Sequence, residues 1–315
     1  MNKRFFGYTI SLLISIALLF STSCSKDKNN KVEYSLKIGA MSSLDYIPYV
    51  VAQKAGIYDS LGLNIEIVKF FSANERDAAF RGGQVDGTVI DYTGAAIQHA
   101  GGMGLAIVMK HDGVFEMMAV PEIKSMEQLK GKKIGVSRNT VIEYTTDMML
   151  QSYGMTESDI EKPEVNKIPL RMEMMLASEL DASIFPDPFI TISKAKGFNS
   201  LCSNKDLDIS VTGTMLTQKV IEEKSDAIKL LIEGYNLGVQ YMLDHPREEW
   251  SYILVEDAMI PVNVANTVVL PEYTFAELPS KKDIDQTIKW LKDKKLVPAD
   301  YNGQGLVNPD FIPAK

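Results

Sequence analysis

Two stretches of this chain repeat one another at a fixed distance. Lys37-Ile38-Gly39-Ala40, running into Met41-Ser42-Ser43, resembles Lys133-Ile134-Gly135-Val136 running into Ser137-Arg138-Asn139, an offset of 96 residues (134 minus 38). Val85-Asp86-Gly87-Thr88-Val89-Ile90-Asp91 resembles Leu180-Asp181-Ala182-Ser183-Ile184-Phe185-Pro186-Asp187, an offset of 95 (181 minus 86). Self-similarity at one offset, in two separate places, predicts two lobes of like construction, and the period is too long for a solenoid. Two such lobes face each other across a cleft, and clefts are where small molecules bind.

From Tyr34 onward, short β-rich runs alternate with helical periods. Strands are expected at Leu36–Ala40, Leu63–Phe70, Gly87–Ile90 and Leu105–Lys110, with helices at Pro48–Ala55, Ala73–Arg81 and Gly94–Ala100 between them. This order predicts a parallel sheet covered by helices on both faces. It recurs from Lys132 to Ala195, so the expected fold class is α/β, two doubly wound lobes with a central ligand cleft. The strand-like Phe115–Val120 and Ile209–Thr217 are the expected crossings between lobes. Ser225–Leu243 then carries an apolar face at 3.6-residue spacing, and Pro246 suits the first turn of a following helix. Ser280-x-x-Asp283 resembles a capping box ahead of Ile284–Leu291. This block is expected to fold back on the first lobe, so that residues 34–118 plus 212–315 form lobe 1 and residues 119–211 form lobe 2.

The N-terminus has the layout of an export signal. Lys3 and Arg4 precede an apolar run from Ile10 to Phe20, and Ser21-Thr22-Ser23 lead to Cys24. The run is too short for a membrane span of about 20 residues. Residues 1–23 therefore read as a signal peptide and Cys24, following small residues, as a lipidation site; an ordinary signal with an incidental cysteine is the alternative. Residues 24–33, rich in Lys, Asn and Asp, form the expected tether. The protein is then exported and anchored to a bacterial membrane by lipid at Cys24, on the periplasmic or cell-surface side. The formal charge of −8 becomes −10 without residues 1–23, which argues against a nucleic-acid partner. Cys202 is the other cysteine, so neither a disulfide nor a cysteine metal site is expected.

The chemistry concentrates in the turns that follow strands. Ser42, Ser43, Asp45 and Tyr46 follow the first strand of lobe 1, and Asp91, Tyr92 and Thr93 follow a later one. Ser137, Arg138, Asn139 and Thr140 follow the first strand of lobe 2, and Asp187 follows a later one. Each group precedes a helix and contains cap-type residues; Thr140-Val141-Ile142-Glu143 is itself a capping box. In open parallel sheets, ligands bind beyond the carboxyl ends of the strands, where helix N-termini present free N–H groups. Four such turns at equivalent positions make a shared ligand site, although each alone is also a good cap. Asp45, Asp91 and Asp187 are acidic and Arg138 is the one base in these turns, so a ligand with N–H donors or a positive centre is expected over a bare anion such as nitrate. Tyr46, Tyr49, Tyr92 and Phe189 are placed either to sandwich a flat ring or to pack beneath the turns.

Catalytic signals are weak. The three histidines are His99, His111 and His245, and the chain has no Gly-x-Ser-x-Gly elbow, no Cys-x-x-Cys, no His-x-x-x-His and no Gly-x-x-x-x-Gly-Lys loop. No catalytic residue, metal or cofactor is expected. Met172, Met174 and Met175 read as helix core and rim.

At these residues the sequence resembles the periplasmic solute-binding proteins of ABC transporters, in the branch covering nitrate, sulfonates, taurine and the pyrimidine precursor of thiamine. The resemblance lies in residues 46–58, in Gly83-Gln84-Val85-Asp86-Gly87, in residues 129–144 and in Phe185-Pro186-Asp187-Pro188-Phe189. It implies two α/β lobes that close on a solute by a hinge, in a monomer that hands the solute to a membrane permease and its ATPase. It implies an aminopyrimidine or sulfonate-like solute and no enzymatic activity. Two alternatives stay open: an enzyme of the same fold in thiamine-pyrimidine or menaquinone synthesis, and a solute sensor without a permease.

Overall fold

The computed structural model describes residues 34–312. Cys24, the signal peptide and the tether lie outside the described residues. The strands are β1 (Tyr34–Met41), β2 (Leu63–Phe70), β3 (Gly87–Asp91), β4 (Leu105–His111), β5 (Glu116–Ala119), β6 (Ile134–Gly135), β7 (Ala182–Phe185), β8 (Asn199–Ser203) and β9 (Thr212–Thr217). They form two sheets, in the orders β2-β1-β3-β9-β4 and β6-β7-β5-β8. Residues 161–164 lie beside β6 through the parallel bridges Lys133–Glu161 and Val136–Glu164. With that segment standing where β2 stands in the first sheet, the two sheets share one order.

The sequence repeat is visible as repeated hydrogen bonding. Lys37 N donates to Asp86 Oδ2 at 2.8 Å, and Lys133 N donates to Asp181 Oδ2 at 2.8 Å. The backbone returns the bond in both lobes, from Asp86 N to Lys37 O at 2.8 Å and from Asp181 N to Lys133 O at 2.9 Å. Two residues further on, Thr88 Oγ1 donates to Gly39 O at 3.0 Å and Ser183 Oγ to Gly135 O at 2.8 Å. The aspartates thus pin the start of each central strand pair, and the hydroxyls staple the buried strand beside it.

The all-parallel expectation is corrected. β9 runs antiparallel to both β3 and β4, and β5 runs antiparallel to both β7 and β8. The reason is the length of the crossings. The chain leaves β4 at His111 and enters β5 at Glu116; it leaves β8 at Ser203 and enters β9 at Thr212. A link this short joins the carboxyl ends of one sheet to the same edge of the other, so the next strand must run back. The crossings are therefore residues 112–115 and 204–211, just ahead of the strands expected in that role.

Helices Ile47–Lys54 and Ser225–Asp244 cover one face of the first sheet, where Leu36, Ile38, Val51, Leu231 and Tyr235 are buried in one cluster. Helices Ile168–Leu176 and Phe189–Ala195 pack with Leu180 and with Met118 and Phe185 of the second sheet. A third cluster joins residues of both sheets, from Ile107 and Met215 to Met117 and Ile184, beneath Lys281–Asp293. Ser280 caps that helix by accepting from Asp283 N at 3.0 Å. The reciprocal capping-box bond is replaced: Asp283 accepts from Ser280 Oγ at 2.6 Å and from Ser210 N at 3.3 Å, the latter tying the helix to the returning crossing. Pro246 stands at the N-cap of Arg247–Trp250, a residue earlier than expected.

The packing of Ser225–Asp244 on Ile47–Lys54 is close enough to demand glycine. A Cβ on Gly238 would lie 2.4 Å from the Pro48 carbonyl oxygen, which is backbone and has nowhere to go. Gly238→Ala is expected to destabilise the protein by about 1–3 kcal/mol through overpacking. Urea unfolding checks this, and an unchanged midpoint contradicts the close approach.

Candidate functional site

The turns beyond β1, β3, β6 and β7 meet around one cleft between the sheets. Its cavity is small, about 50 Å³. The cleft is therefore narrow. Its lining includes Ser43 and Asp45 from the first turn, Asp91 from the second, Ser137 and Thr140 from the third, and Pro186 from the fourth. Phe115 and Thr212, at the ends of the two crossings, also face it. Across its mouth Ile168 N donates to Phe71 O at 3.4 Å and Lys167 pairs with Glu75 at 3.3 Å, so the lobes touch there.

Two of these turns are caps as expected. Asp91 Oδ1 accepts from Gly94 N at 2.7 Å at the head of Tyr92–Ala100 and is further bonded by the Thr93 hydroxyl. Thr140 Oγ1 accepts from Ile142 N at 3.2 Å at the head of Val141–Ser152. The Glu143 carboxylate, expected to complete the box on Thr140, reaches one residue further and accepts from Asn139 N at 2.8 Å. Asn139 adopts φ 62°, which turns its N–H toward that carboxylate. Ser137 Oγ donates to Asn166 Oδ1 at 3.0 Å, and Asn166 also lines the cleft.

The bases of the cleft are two arginines that lie outside the four turns. Arg76, on Ala73–Arg81, is buried and donates to Asp77 at 2.8 Å and to Asp91 at 3.3 Å. Burial pushes the Arg76 pKa down, but the two aspartates more than offset this and raise it. Arg171, on Ile168–Leu176, is wholly buried, and its Nη1 donates to Val165 O at 2.9 Å. Its Nε and Nη2 have no hydrogen-bond partner, and no carboxylate pairs with it among the described residues. Burial alone pulls the Arg171 pKa down to about 9, so it stays protonated at neutral pH. A buried charge without a partner costs on the order of several kcal/mol, which the fold tolerates here.

Both arginines had a signal in the sequence. Arg76 shares a face with Ala73 and Phe80, and Arg171 shares one with Ile168 and Met175, so each interrupts an apolar stripe at helical spacing. Reading only the turns misses them.

The remaining turn residues sit away from the cleft. Arg138 is half exposed and spends its charge on the Lys162 carbonyl at 3.3 Å and Glu164 at 3.5 Å. Tyr46 is buried with its hydroxyl donating to Asp257 O at 2.9 Å, and Tyr92 is buried near Ser210. Tyr49 packs on His111 and Tyr235, and Phe189 stacks on Phe185. These rings pack beneath the turns instead of forming a sandwich. Ser42 is buried with no hydroxyl partner among the described residues, and Thr93 serves Asp91. Asp187 accepts from Thr191 N at 2.9 Å and Thr191 Oγ1 at 2.7 Å, and burial raises its pKa.

Potential chemical groups elsewhere are engaged. Glu143, Asp147 and Glu157 gather within 4.8 Å, but Lys162 and Lys294 lie among them, with Lys294 3.1 Å from Asp147 and Lys162 3.2 Å from Glu157. Ammonium groups thus occupy the space a cation would need. Cys202 is buried in β8.

Comparison with known proteins agrees with this geometry. The family model described as "NMT1/THI5 like" matches residues 43–249. A protein of Haemophilus influenzae named a putative thiamine biosynthesis protein is 22% identical over 259 residues, covering 79% of this chain and 78% of that protein. The structure of the alkanesulfonate-binding protein SsuA from Xanthomonas axonopodis pv. citri, bound to MOPS, superposes with a TM-score of 0.76 at 16% identity, covering 87% of this chain and 98% of that one. The periplasmic nitrate-binding protein NrtA from Synechocystis PCC 6803 superposes with a TM-score of 0.71 at 14% identity, covering 84% and 83%. The fold is that of the periplasmic binding proteins.

His111 lies behind the site, with Nε2 2.7 Å from Thr214 Oγ1 and the rings of Tyr49 and Tyr235 5.5 Å away. Burial holds its pKa below the ordinary 6.5, against the opposing pull of Asp45 and Asp112. A histidine of this kind binds protons more readily when unfolded, so the stability it preserves above about pH 6.5 is lost as pH falls. The loss is up to about 1.4 kcal/mol per pH unit. His111→Asn is expected to flatten the decline in urea-unfolding stability from about pH 6.5 to pH 5. An unchanged slope places the proton uptake elsewhere.

Proposed function

Because this chain belongs to the NMT1/THI5-like family, we propose that it is the solute-capture component of an ABC importer, holding a small polar organic solute between its lobes. The observation that carries this reading is the convergence of Ser43, Asp45 and Asp91 from one sheet with Ser137 and Thr140 from the other on a single cleft. The solute belongs to the aminopyrimidine or sulfonate-like class, and Arg76, Asn166, Arg171 and Thr212 join those residues in binding it. The names of the Xanthomonas, Synechocystis and Haemophilus proteins support sulfonates, small anions and thiamine-related compounds as the range within which it falls.

Capture works by rotation about the crossings at residues 112–115 and 204–211. Only two short backbone segments have to turn for the lobes to part, and the contacts at Phe71–Ile168 and Glu75–Lys167 are broken as the mouth opens. The monomer, exported and held to a bacterial membrane by lipid at Cys24, then presents its closed form to a permease and its ATPase. No helix among the described residues is long and apolar enough to cross a membrane. An enzymatic reading predicts chemical conversion of the bound solute, and capture predicts its return unchanged.

A thermal-shift screen of sulfonates, aminopyrimidines and related solutes finds the ligand most directly, since one at 100 times its Kd adds about 2.7 kcal/mol. At saturation the radius of gyration by small-angle scattering is expected to fall, and an unchanged radius contradicts the hinge. For the anchor, Cys24→Ala is expected to move the protein from the membrane fraction to the soluble fraction or leave it unprocessed. Wild-type protein found wholly soluble after export contradicts lipidation.

A further inference from the structure

We propose that the solute is a small zwitterion, with its anionic group held by Arg171 and its protonated amine by Asp45. This deepens the capture reading above and rests on it. The unpartnered Nε and Nη2 of Arg171 form one edge of the guanidinium, the edge that grips two oxygens of a carboxylate, sulfonate or phosphate side-on. The other edge is fixed, by the bond from Nη1 to Val165 O at 2.9 Å, and Cζ lies 5.6 Å from the Phe185 ring centre. The group is therefore held in place with its receptor edge free. It lines the cleft and is fully buried.

Asp45 is its counterpart on the other lobe. It is buried, lines the cleft and takes part in no salt bridge among the described residues; the Ser43 hydroxyl is its one side-chain donor there. The other two charged residues of the lining, Arg76 and Asp91, pair with each other at 3.3 Å. The charge left open is thus one guanidinium and one carboxylate, on opposite lobes. A bare anion would satisfy Arg171 and leave Asp45 buried and unpaired, and a bare amine would do the reverse. A molecule carrying both charges satisfies both and ties the lobes together as it binds.

The test is calorimetry on the processed protein with ω-aminoalkanesulfonates and ω-amino acids of two to five carbons. The probes are compared with the alkanesulfonates and alkylamines that lack one charge, and with a neutral aminopyrimidine. At least one zwitterion is expected to bind about tenfold or more tightly than either of its singly charged counterparts. Arg171→Met and Asp45→Asn are each expected to remove about tenfold or more of that affinity, and Arg171→Lys to restore part of the loss at Arg171. A purely structural arginine would lower the Tm when replaced; here Arg171→Met leaves the Tm of the unliganded protein unchanged or higher. Tight binding of the neutral aminopyrimidine, unaltered by Arg171→Met, overturns the zwitterion and leaves the capture reading standing. Failure of every zwitterion to bind wild type overturns it too, and the thermal-shift screen then decides separately whether any solute is captured.

Discussion

The architecture depends on two short crossings. Because residues 112–115 and 204–211 join the lobes at the carboxyl ends of their strands, each lobe receives one strand that runs against its neighbours. Thr212 consequently pairs with both Asp91 and His111, and Glu116 with both Phe185 and Ser203, so the ends of central strands in both sheets meet the crossings directly. This brings two sets of strand-end turns face to face with few backbone positions between them. The cleft and its polar lining follow from that constraint.

Within the cleft the charges are divided between two duties. Asp91 caps a helix and balances Arg76, and the pair is internally satisfied. Arg171 and Asp45 are buried without charged partners among the described residues. Unpaired buried charges cost stability, and functional sites are where folds retain them. The contrast in the lining is between a pair that satisfies itself and two residues that lack a charged partner among the described residues.

Much of the fold was legible because hydrophobic alternation and helix periods are local. Leu63–Phe70 and Ala73–Arg81 fall where the pattern puts them, and the repeat of Lys37 with Asp86 in Lys133 with Asp181 survives as the same hydrogen bonds. Strand direction was not legible: β5 and β9 look like any other strand, and only the short links ahead of them reverse them. Position after a strand puts Asp45, Asp91, Ser137 and Thr140 on the cleft lining, because turn geometry fixes where such residues go. It misplaced Arg138, whose long side chain folds outward onto Lys162 and Glu164, and Tyr46 and Tyr92, whose hydroxyls find core partners. Arg171 interrupts the apolar stripe of Ile168 and Met175, which the turns alone do not show.

The central claim is that one solute is gripped from both sheets at once. Hydrogen exchange, with and without a solute that raises the Tm, tests this most directly. The account predicts that exchange slows together at the amides of Tyr92–Gly94 and of Val141–Glu143, which head helices on opposite lobes. Slowing confined to one lobe, or located instead around the surface groove lined by Lys37, Glu66 and Lys224, would contradict it.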